Sequence, residues 1–350
     1  MSKFGVFYWL VATGLYMLAH FYRTAALPDW DNGTSSYLIV WVSASMAFGF
    51  INVILDRFLD KLQNFAYSSL IVIKCLIMLL AFVGVLFVLK VFAFYNGNLT
   101  AHQVTSTFFP ELFMPQKVGA LAFLLVASGS YSFLRYVQSM IGRTTMFNIV
   151  LGKYRQARNE ERIFMFLDLK NSTANAEKLG NEKFTNLIQD CFKDLRETAL
   201  KHQVEIYFYV GDEAILAWKV ADGLKKNNCL ETFFHFAAKI NKRSKYYQDR
   251  YGFVPEFKAG AHMGTATIAQ VGNIVKTSID YLGDVMNTCS RIEGECNSYG
   301  KDFLISETLA KALGGEDQYD FIGEIVPRGK TESIKLYSPL KNSSKVDIAS

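Results

Sequence analysis

Hydrophobic residues are concentrated in the first third of the chain, where long apolar runs alternate with shorter polar segments. Four such runs cover residues 4–22, 36–55, 70–89 and 118–134. Each is close to the roughly 20 residues that an α-helix needs to cross the hydrocarbon core of a bilayer. The first run begins almost at Met1 and has no small-residue cleavage site, so we interpret it as a retained span. The pattern predicts a transmembrane domain over residues 1–136.

Positively charged residues predict how this domain lies in the membrane. The loop between the second and third runs carries Arg57 and Lys61, and the segment after the fourth run carries six further arginines and lysines. Because positive charge favours the cytoplasmic side, both chain ends should be cytoplasmic. We therefore expect a multi-pass protein of the cell (inner) membrane. Lys74, four residues into the third run, is close enough to the inner surface for its amine to reach water.

Two segments of the first half allow more than one interpretation. The outer loop at residues 91–116 is rich in aromatic side chains, which are typical of an interfacial belt and also of a surface that senses an unknown ligand or partner. Residues 137–160 have a mostly helical stripe of apolar positions. This connector is either a helix that transmits motion from the membrane or a solvated linker.

The second half of the chain alternates β-type and helical patterns. It contains, in order, a buried strand, a helix, two strands around a Gly-Asp-Glu turn, a helix and a strand, at residues 163–169, 182–200, 204–210, 214–218, 224–250 and 256–264. The order βαββαβ predicts a ferredoxin-like α+β domain, with an antiparallel sheet and its helices on one face. This domain should cover residues 161–340 and leave residues 341–350 as a tail.

Composition separates the two halves and excludes several classes of protein. Residues 1–137 hold only 13 of the 69 Asp, Glu, Lys and Arg residues, and 51% of the whole chain is hydrophobic, which excludes a disordered protein. The net charge of +5 is not gathered in a basic block, so no nucleic-acid partner is expected. The five cysteines contain no Cys-x-x-Cys pair, which argues against a zinc module or a disulfide framework and fits a reducing cytosol.

Two carboxylates stand at positions where a metal ion could bind. Asp168 closes the first predicted strand, and Asp212 lies in the hairpin turn. In a βαββαβ sheet the first strand is central and the hairpin starts beside it, so these residues should converge. Paired carboxylates repel unless a cation lies between them, and Mg²⁺ suits one or two carboxylates plus phosphate oxygens. A single aspartate at a strand end is also commonly just a cap.

A further polar pair is predicted on a later helix. The glycine turn at Gly283 leads into a helix that carries Asn287 and Arg291 four residues apart, and hence on one face. An amide and a guanidinium side by side suit a ribose oxygen and a phosphate charge that builds in a transition state. By themselves these two residues fit an exposed polar helix face equally well.

Five segments, in order along the second half, resemble motifs of the class III nucleotidyl (adenylate/guanylate) cyclase family. They are residues 166–173, 209–213, 260–264, 283–291 and 328–330. With its four spans and the connector sequence Leu151-Gly152-Lys153-Tyr154, the chain resembles membrane-bound bacterial members of the family. The resemblance implies a four-helix transmembrane domain followed by a cyclase catalytic domain.

The resemblance also implies that Asp168 and Asp212, with the backbone carbonyl of Leu169, hold two Mg²⁺ or Mn²⁺ ions. The ribose 3′-oxygen of the nucleotide would attack the α-phosphorus and release pyrophosphate. The residues implied for orienting the ribose and for neutralising charge on the phosphates are Asn287, Arg291, Arg328 and Lys330. The family assembles each site from two chains, and this chain carries both residue sets, so the resemblance implies a homodimer with two composite sites.

The residues implied for base recognition favour ATP but leave GTP open. Members of the family that use ATP often have a lysine three residues before the hairpin glycine, where this chain has Phe208. The partner position, three residues before Gly283, is Asp280, as in adenine-selecting members, although a carboxylate can also accept from guanine. The resemblance therefore implies an adenylate cyclase that makes cyclic AMP from ATP, with a guanylate cyclase as the alternative.

Two other functions share parts of this pattern. Cyclic-dinucleotide synthases have a similar hairpin, but Val210 and Ala214 depart from their turn, and that family has no Asn-x-x-x-Arg helix. A receptor that binds nucleotide without turnover would be favoured by the loss of a metal carboxylate, and both carboxylates are present.

Overall fold

The computed structural model of the 350-residue chain describes residues 7–12, 14–15, 48–56, 58, 67–97, 100–141, 148, 152–272, 277–326 and 333–339. The chain divides into two units, Met1–Ile141 and Gly142–Ser350. The predicted tail at residues 341–350 lies outside the described residues.

The first unit is helical wherever it is described in detail. Its longer helices are α1 (Tyr67–Tyr95), α2 (Ala101–Leu112) and α3 (Pro115–Ile141). Within the described ranges, two helices are long and apolar enough to cross a membrane, Ser69–Phe92 and Lys117–Gln138. They coincide with the third and fourth predicted spans. Residues 4–22 and 36–55 are described only in part, so the four-helix transmembrane domain stays a prediction.

The aromatic-rich outer segment contains the helix α2. Thr100 and Gln103 form a capping box at its start, in which each side chain accepts from the backbone N–H of the other residue. Glu111 near its end pairs with Lys90 at 3.0 Å and with Lys117 at 2.8 Å, which ties α2 to the helices before and after it. The capping box and the two ion pairs therefore hold α2 in place within the first unit. The role of this segment in sensing a ligand stays a prediction.

Lys74 is buried in the first unit and does not reach water as predicted. Its Nζ lies 2.5 Å from Oδ1 of Asp56 and donates to Oγ of Ser132 at 2.6 Å. Arg135 contacts the other carboxylate oxygen of Asp56 at 3.2 Å. A buried charge is strongly disfavoured unless it is paired. The ion pair with Asp56 therefore takes the place of the expected contact with water.

The second unit contains a mixed β-sheet with helices on both of its faces. The strands are β1 (Arg158–Leu169), β2 (Glu205–Val210), β3 (Glu213–Lys219), β4 (Phe257–Gly272), β5 (Thr277–Leu282), β6 (Phe303–Ser306), β7 (Asp320–Ile325) and β8 (Ile334–Ser338). The α-helices are α4 (Ser172–Leu179), α5 (Asn181–Lys201), α6 (Val220–Leu224), α7 (Asn228–Lys242), α8 (Ser244–Tyr251), α9 (Asp284–Ser298) and α10 (Glu307–Ala312). The strand order is β2-β3-β1-β4-β6-β8-β7, and β5 pairs with β4 outside this path.

The predicted βαββαβ core is present as β1, α5, β2, β3, α7 and β4, but the sheet is not wholly antiparallel. Strand β1 is antiparallel to β3 and to β4, whereas β6 runs parallel to β4. Parallel neighbours need a long crossover, which β5 and α9 provide here. The expectation of a purely antiparallel sheet was therefore wrong.

From Ile163 to Leu169, strand β1 is buried on both faces, which explains the continuous apolar run there. Met165 and Leu167 belong to a first core that is packed against α5 and α7. Phe164 and Phe166 point to the opposite face and belong to a second core, which includes Cys289 of α9. The prediction that helices cover only one face was therefore wrong, because α9 covers the other.

Two other predicted elements end at different residues. The connector helix was predicted over residues 137–160. Residues 137–141 are the end of α3, but β1 begins at Arg158, so the prediction of a helix was wrong for residues 158–160. Residues 142–147 and 149–151 of the connector lie outside the described residues. The helical stretch at 224–250 is divided into α7 and α8, which meet at Arg243.

Candidate active site

Asp168 and Asp212 come together at the edge of the sheet where β1 ends. Asp168 is the second-last residue of β1, and Asp212 lies in the turn that leads into β3, the neighbour of β1. Gly211 in this turn has a φ of 62°, which residues other than glycine rarely adopt. The carboxylates are close enough for the charge of Asp212 to raise the pKa of Asp168, after the larger effect of burial. The structure therefore brings together the two carboxylates that the sequence predicted to converge.

Lys258 lies against Asp168 and was not predicted as a site residue. The two residues are register partners in β1 and β4, and Nζ of Lys258 is 3.4 Å from Oδ2 of Asp168. The same Nζ is 2.8 Å from Oε1 of Glu293 on α9, and only 9% of Lys258 is exposed. The sequence signal that could have found it is a lysine at the start of a strand whose following residues, 259–272, contain no Asp, Glu, Lys or Arg.

Glu213 and Glu293 extend the two aspartates into an acidic cluster. Burial, and then the charges of Glu293 and Asp212, raise the pKa of Asp168 from 3.8 to about 6. Burial, and then Glu293 and the two aspartates, raise the pKa of Glu213 from 4.5 to about 7. Lys258 opposes both shifts without cancelling them. The cluster therefore holds more negative charge than one ammonium group balances.

This surplus of negative charge fits a divalent cation. Mg²⁺ is usually held by one or two carboxylates, with substrate phosphates completing its ligand shell. Asp168 and Asp212 provide such a pair, and Leu169, whose carbonyl is the implied third ligand, directly follows Asp168 at the end of β1. Within the described ranges, no group of three or more His, Cys, Asp or Glu side chains forms a metal cage. Mg²⁺ usually keeps several waters, so water and phosphate oxygens would complete a shell begun by these residues.

Replacing Asp168 with asparagine is expected to stabilise the metal-free protein at pH 8. Because the pKa of Asp168 is higher in the folded protein than in the unfolded chain, its ionisation lowers the free energy of unfolding as the pH rises from about 4 to about 6. Asp168→Asn removes that ionisation and leaves Lys258 paired with Glu293. We expect a gain of about 1–2 kcal/mol at pH 8 in EDTA and almost none at pH 4, measured by thermal unfolding. A variant that melts below the wild type at pH 8 would contradict this expectation.

Asn287 and Arg291 lie on α9, the helix that follows the predicted glycine turn. Gly283 precedes the helix with a φ of 133°, in the region that favours glycine. Asn287 is exposed and Arg291 is half-buried, and their spacing places both on one face of the helix. Their tasks toward a nucleotide stay predictions.

Helix α9 packs directly on the backbone of β4. A side chain at Gly260 would place its Cβ 2.2 Å from the backbone N of Glu293, and one at Gly264 would come within 3.1 Å of Val285. The two glycines are four residues apart on a strand, so they face the same side. The Gly-x-x-x-Gly segment therefore allows α9, with its polar face, to lie close to the strand that carries Lys258.

The two residues implied for base recognition lie on β2 and β5. Phe208 on β2 is 58% exposed. Asp280 on β5 is contacted by the neighbour of Phe208, Tyr207, whose hydroxyl donates to Oδ1 of Asp280 at 3.4 Å. Tyr207 was not predicted as a site residue. The two basic residues implied for phosphate contact, Arg328 and Lys330, lie outside the described residues.

The second unit is similar to known catalytic domains. Residues 155–338 match the family model described as the adenylate and guanylate cyclase catalytic domain. The chain is 32% identical over 200 residues to Adenylate cyclase 2 of Rhizobium meliloti, a match that covers 57% of this chain and 55% of that protein. It is 24% identical over 221 residues to an adenylate cyclase of Anabaena cylindrica, covering 59% of this chain and 42% of that protein. The chain therefore spans about half the length of these curated relatives.

A solved structure of a bacterial light-regulated adenylyl cyclase has a similar fold. Its TM-score is 0.54 at 14% sequence identity, and the match covers 65% of each chain. At this level of identity the likeness concerns the fold alone.

Proposed function

Because this chain belongs to the adenylate and guanylate cyclase catalytic domain family, we propose that it converts ATP to 3′,5′-cyclic AMP and pyrophosphate. The observation that carries the proposal is the meeting of Asp168 and Asp212 at one sheet edge, with Lys258 paired to Asp168. This arrangement offers two acidic ligands and an adjacent positive charge, which suits a metal-bound triphosphate. The relatives that are named adenylate cyclases support ATP as the nucleotide.

Each described site residue has a definite task in this reaction. Asp168 and Asp212, with the carbonyl of Leu169, would hold two Mg²⁺ or Mn²⁺ ions. When bound, these ions would supply the positive charge that acidifies the ribose 3′-hydroxyl and stabilises the leaving pyrophosphate. Asn287 would orient the ribose so that its 3′-oxygen points at the α-phosphorus. Arg291 would donate to the phosphate oxygens on which negative charge builds.

Lys258 would add a fixed positive charge beside the metal ligands. Burial lowers its pKa, but the hydrogen bond and charge of Glu293, followed by the charge of Asp168, raise the pKa by more than burial lowers it. The amine therefore stays protonated and can donate to a phosphate oxygen when the nucleotide binds. Arg328 and Lys330 would contact the phosphates from the segment outside the described residues.

The active sites would form between two copies of the chain. One copy would contribute the metal carboxylates, and the other would contribute Asn287 and Arg291. Several large apolar side chains on β2, β4 and β5 are exposed, namely Phe208, Val210, Val271 and Leu282. A second copy that covers them would remove this apolar surface from water, as expected for a homodimer.

The cyclase would be anchored in the inner membrane with its catalytic unit on the cytoplasmic side. The two candidate spans, Ser69–Phe92 and Lys117–Gln138, support this location. A ligand or partner that binds the first unit would then regulate the reaction through the segment that joins the two units.

Product formation by the purified full-length chain tests the proposal directly. We expect cyclic AMP from ATP with Mn²⁺, and less cyclic GMP from GTP, measured by chromatography. Asp212→Asn is the matched control, because it keeps the size of the side chain and removes the charge that a cation needs. Formation of cyclic GMP alone would favour the guanylate cyclase alternative. Binding of nucleotide without either product would favour a receptor.

A further inference from the structure

A β-bulge in β2 sets the direction of the Tyr207 side chain. Ile206 pairs with Leu216 and Phe208 pairs with Ile215, so Tyr207 is the extra residue between two consecutive pairs. A bulge leaves one residue out of the ladder and re-aims its side chain. Tyr207 is half-buried and packs with the second core, whereas Phe208 is exposed.

Hydrogen bonds fix the orientation of the Tyr207 hydroxyl. Its oxygen accepts from the backbone N–H of Tyr281 at 3.2 Å. Its single proton is donated to Oδ1 of Asp280, 3.4 Å away. The hydroxyl therefore engages one oxygen of this carboxylate and leaves Oδ2 to accept from a ligand.

The ring of Tyr207 is held in place by its neighbours. It packs edge-on against the ring of Tyr281, with the ring centroids 4.7 Å apart. Tyr281 is buried, and the guanidinium of Arg162 lies 5.6 Å from its ring centroid. Arg162 is itself buried and pairs with Glu160 and Glu205. The contact between Tyr207 and Asp280 therefore belongs to an arrangement that the chain's own side chains hold in place.

We propose that Tyr207 is the positioning residue for the nucleotide base, a task that the resemblance implied for the position of Phe208. Tyr207 orients Asp280 so that Oδ2 accepts a hydrogen bond from the 6-amino group of adenine. This inference rests on the proposed function, because it takes the surface beside Asp280 as the base site. It goes further by naming Tyr207 as the residue that holds Asp280 in the orientation that selects the base.

The same contact disfavours guanine. Guanine presents two adjacent donors, N1–H and N2–H, and a carboxylate binds them best with one oxygen each. Oδ1 of Asp280 already accepts from Tyr207, which weakens the second of these two bonds. Adenine presents only its amino group as a donor at this edge, and Oδ2 is sufficient for it. The pair of Tyr207 and Asp280 therefore favours ATP over GTP.

Tyr207→Phe removes the hydroxyl and keeps the ring that packs on Tyr281. We expect the ratio of kcat/KM for ATP to kcat/KM for GTP to fall roughly tenfold, which corresponds to one buried hydrogen bond. Most of the change in kcat/KM should appear as a change in KM and not in kcat, since the base is remote from the reacting atoms. The ring is retained, but the backbone N–H of buried Tyr281 loses its acceptor, so the melting temperature should fall by only a few degrees and the variant should stay folded.

Tyr246→Phe is the matched control. Tyr246 also donates its hydroxyl to a carboxylate, that of Asp190 at 2.7 Å, but it packs with the first core on the other face of the sheet. Loss of this bond should leave the ATP/GTP ratio unchanged. In a double-mutant cycle, Tyr207→Phe should add nothing to the loss of selectivity caused by Asp280→Asn, because Tyr207 acts through Asp280.

Binding of 3′-deoxy-ATP and 3′-deoxy-GTP, which lack the attacking hydroxyl, separates this inference from the proposed reaction. If the wild type prefers the adenine analogue and Tyr207→Phe reduces that preference, the inference holds even if no cyclic product forms, and the proposed function alone fails. If cyclic AMP forms and Tyr207→Phe leaves selectivity unchanged in turnover and in binding, the inference is overturned and the proposed function stands. A protein that binds neither analogue and forms no product overturns both.

Discussion

Turnover of ATP is expected to fall at least about a thousandfold when Asp168 or Asp212 is replaced by alanine. Each change removes a proposed cation ligand at the sheet edge. Both side chains are only half-buried and lie outside the two apolar cores that flank β1, so the fold should survive. The measurement is kcat with saturating Mn²⁺ and ATP, together with thermal unfolding of each variant.

Asp249→Ala is the control for these two variants. Asp249 is an exposed carboxylate on α8, so its loss should leave kcat unchanged. The metal assignment would be wrong if either site variant kept a kcat within about threefold of the wild type. A site variant that lost its activity together with its melting transition would instead reveal a structural role.

Mixing inactive Asp168→Ala chains with inactive Asn287→Ala chains is expected to restore cyclase activity. In a homodimer with composite sites, a mixed dimer places both defects in one site and leaves the other site intact. Random mixing of equal amounts makes half of the dimers mixed, so the recovery should be roughly a quarter of wild-type activity. The measurement is cyclic AMP formation as a function of the mixing ratio.

Mixing Asp168→Ala with Asp212→Ala chains is the control for this rescue. Both residues belong to the metal set of one chain, so every dimer in that mixture has two defective sites and should stay inactive. Differently tagged chains would establish that mixed dimers form. If mixed dimers form without rescue in the first mixture, or if the control mixture is also rescued, the sites are not shared as proposed.

The elements around the two aspartates could be predicted because local patterns determine them. The second part of strand β1, residues 163–169, is a continuous apolar run since both of its faces are buried, and the following hairpin has a glycine in its turn. The positions of Lys258 and Glu293 beside these aspartates depend on long-range contacts. Lys258 reaches Asp168 through the register of β4 against β1, and Glu293 reaches Lys258 through the packing of α9. Neither contact is encoded in a local motif.

The contact that carries the inferred role of Tyr207 could not be predicted for a similar reason. Phe208 was identified by counting three residues back from Gly211, and a count along the chain cannot reveal a bulge. The bulge depends on which residues of β3 pair with β2, and it gives the contact with Asp280 to Tyr207. Long-range pairing also explains the parallel strand β6 beside β4.

The direct contact of Gly260 with the backbone of Glu293 has a mechanical consequence. Without a side chain between them, β4 and α9 are already as close as their backbones allow. The single thiol proton of Cys289 on α9 is shared between the carbonyl oxygens of Phe164 and Gly260, each 3.2 Å from Sγ, and this contact fastens the helix to β1 and β4. The strand end that carries Asp168 and the helix that carries Asn287 should therefore move as one rigid body. In the proposed homodimer, the proposed regulation would then bring the Asp168 of one copy nearer to or farther from the Asn287 of the other by rotating the copies, because Asp168 and Asn287 within one copy keep a fixed distance.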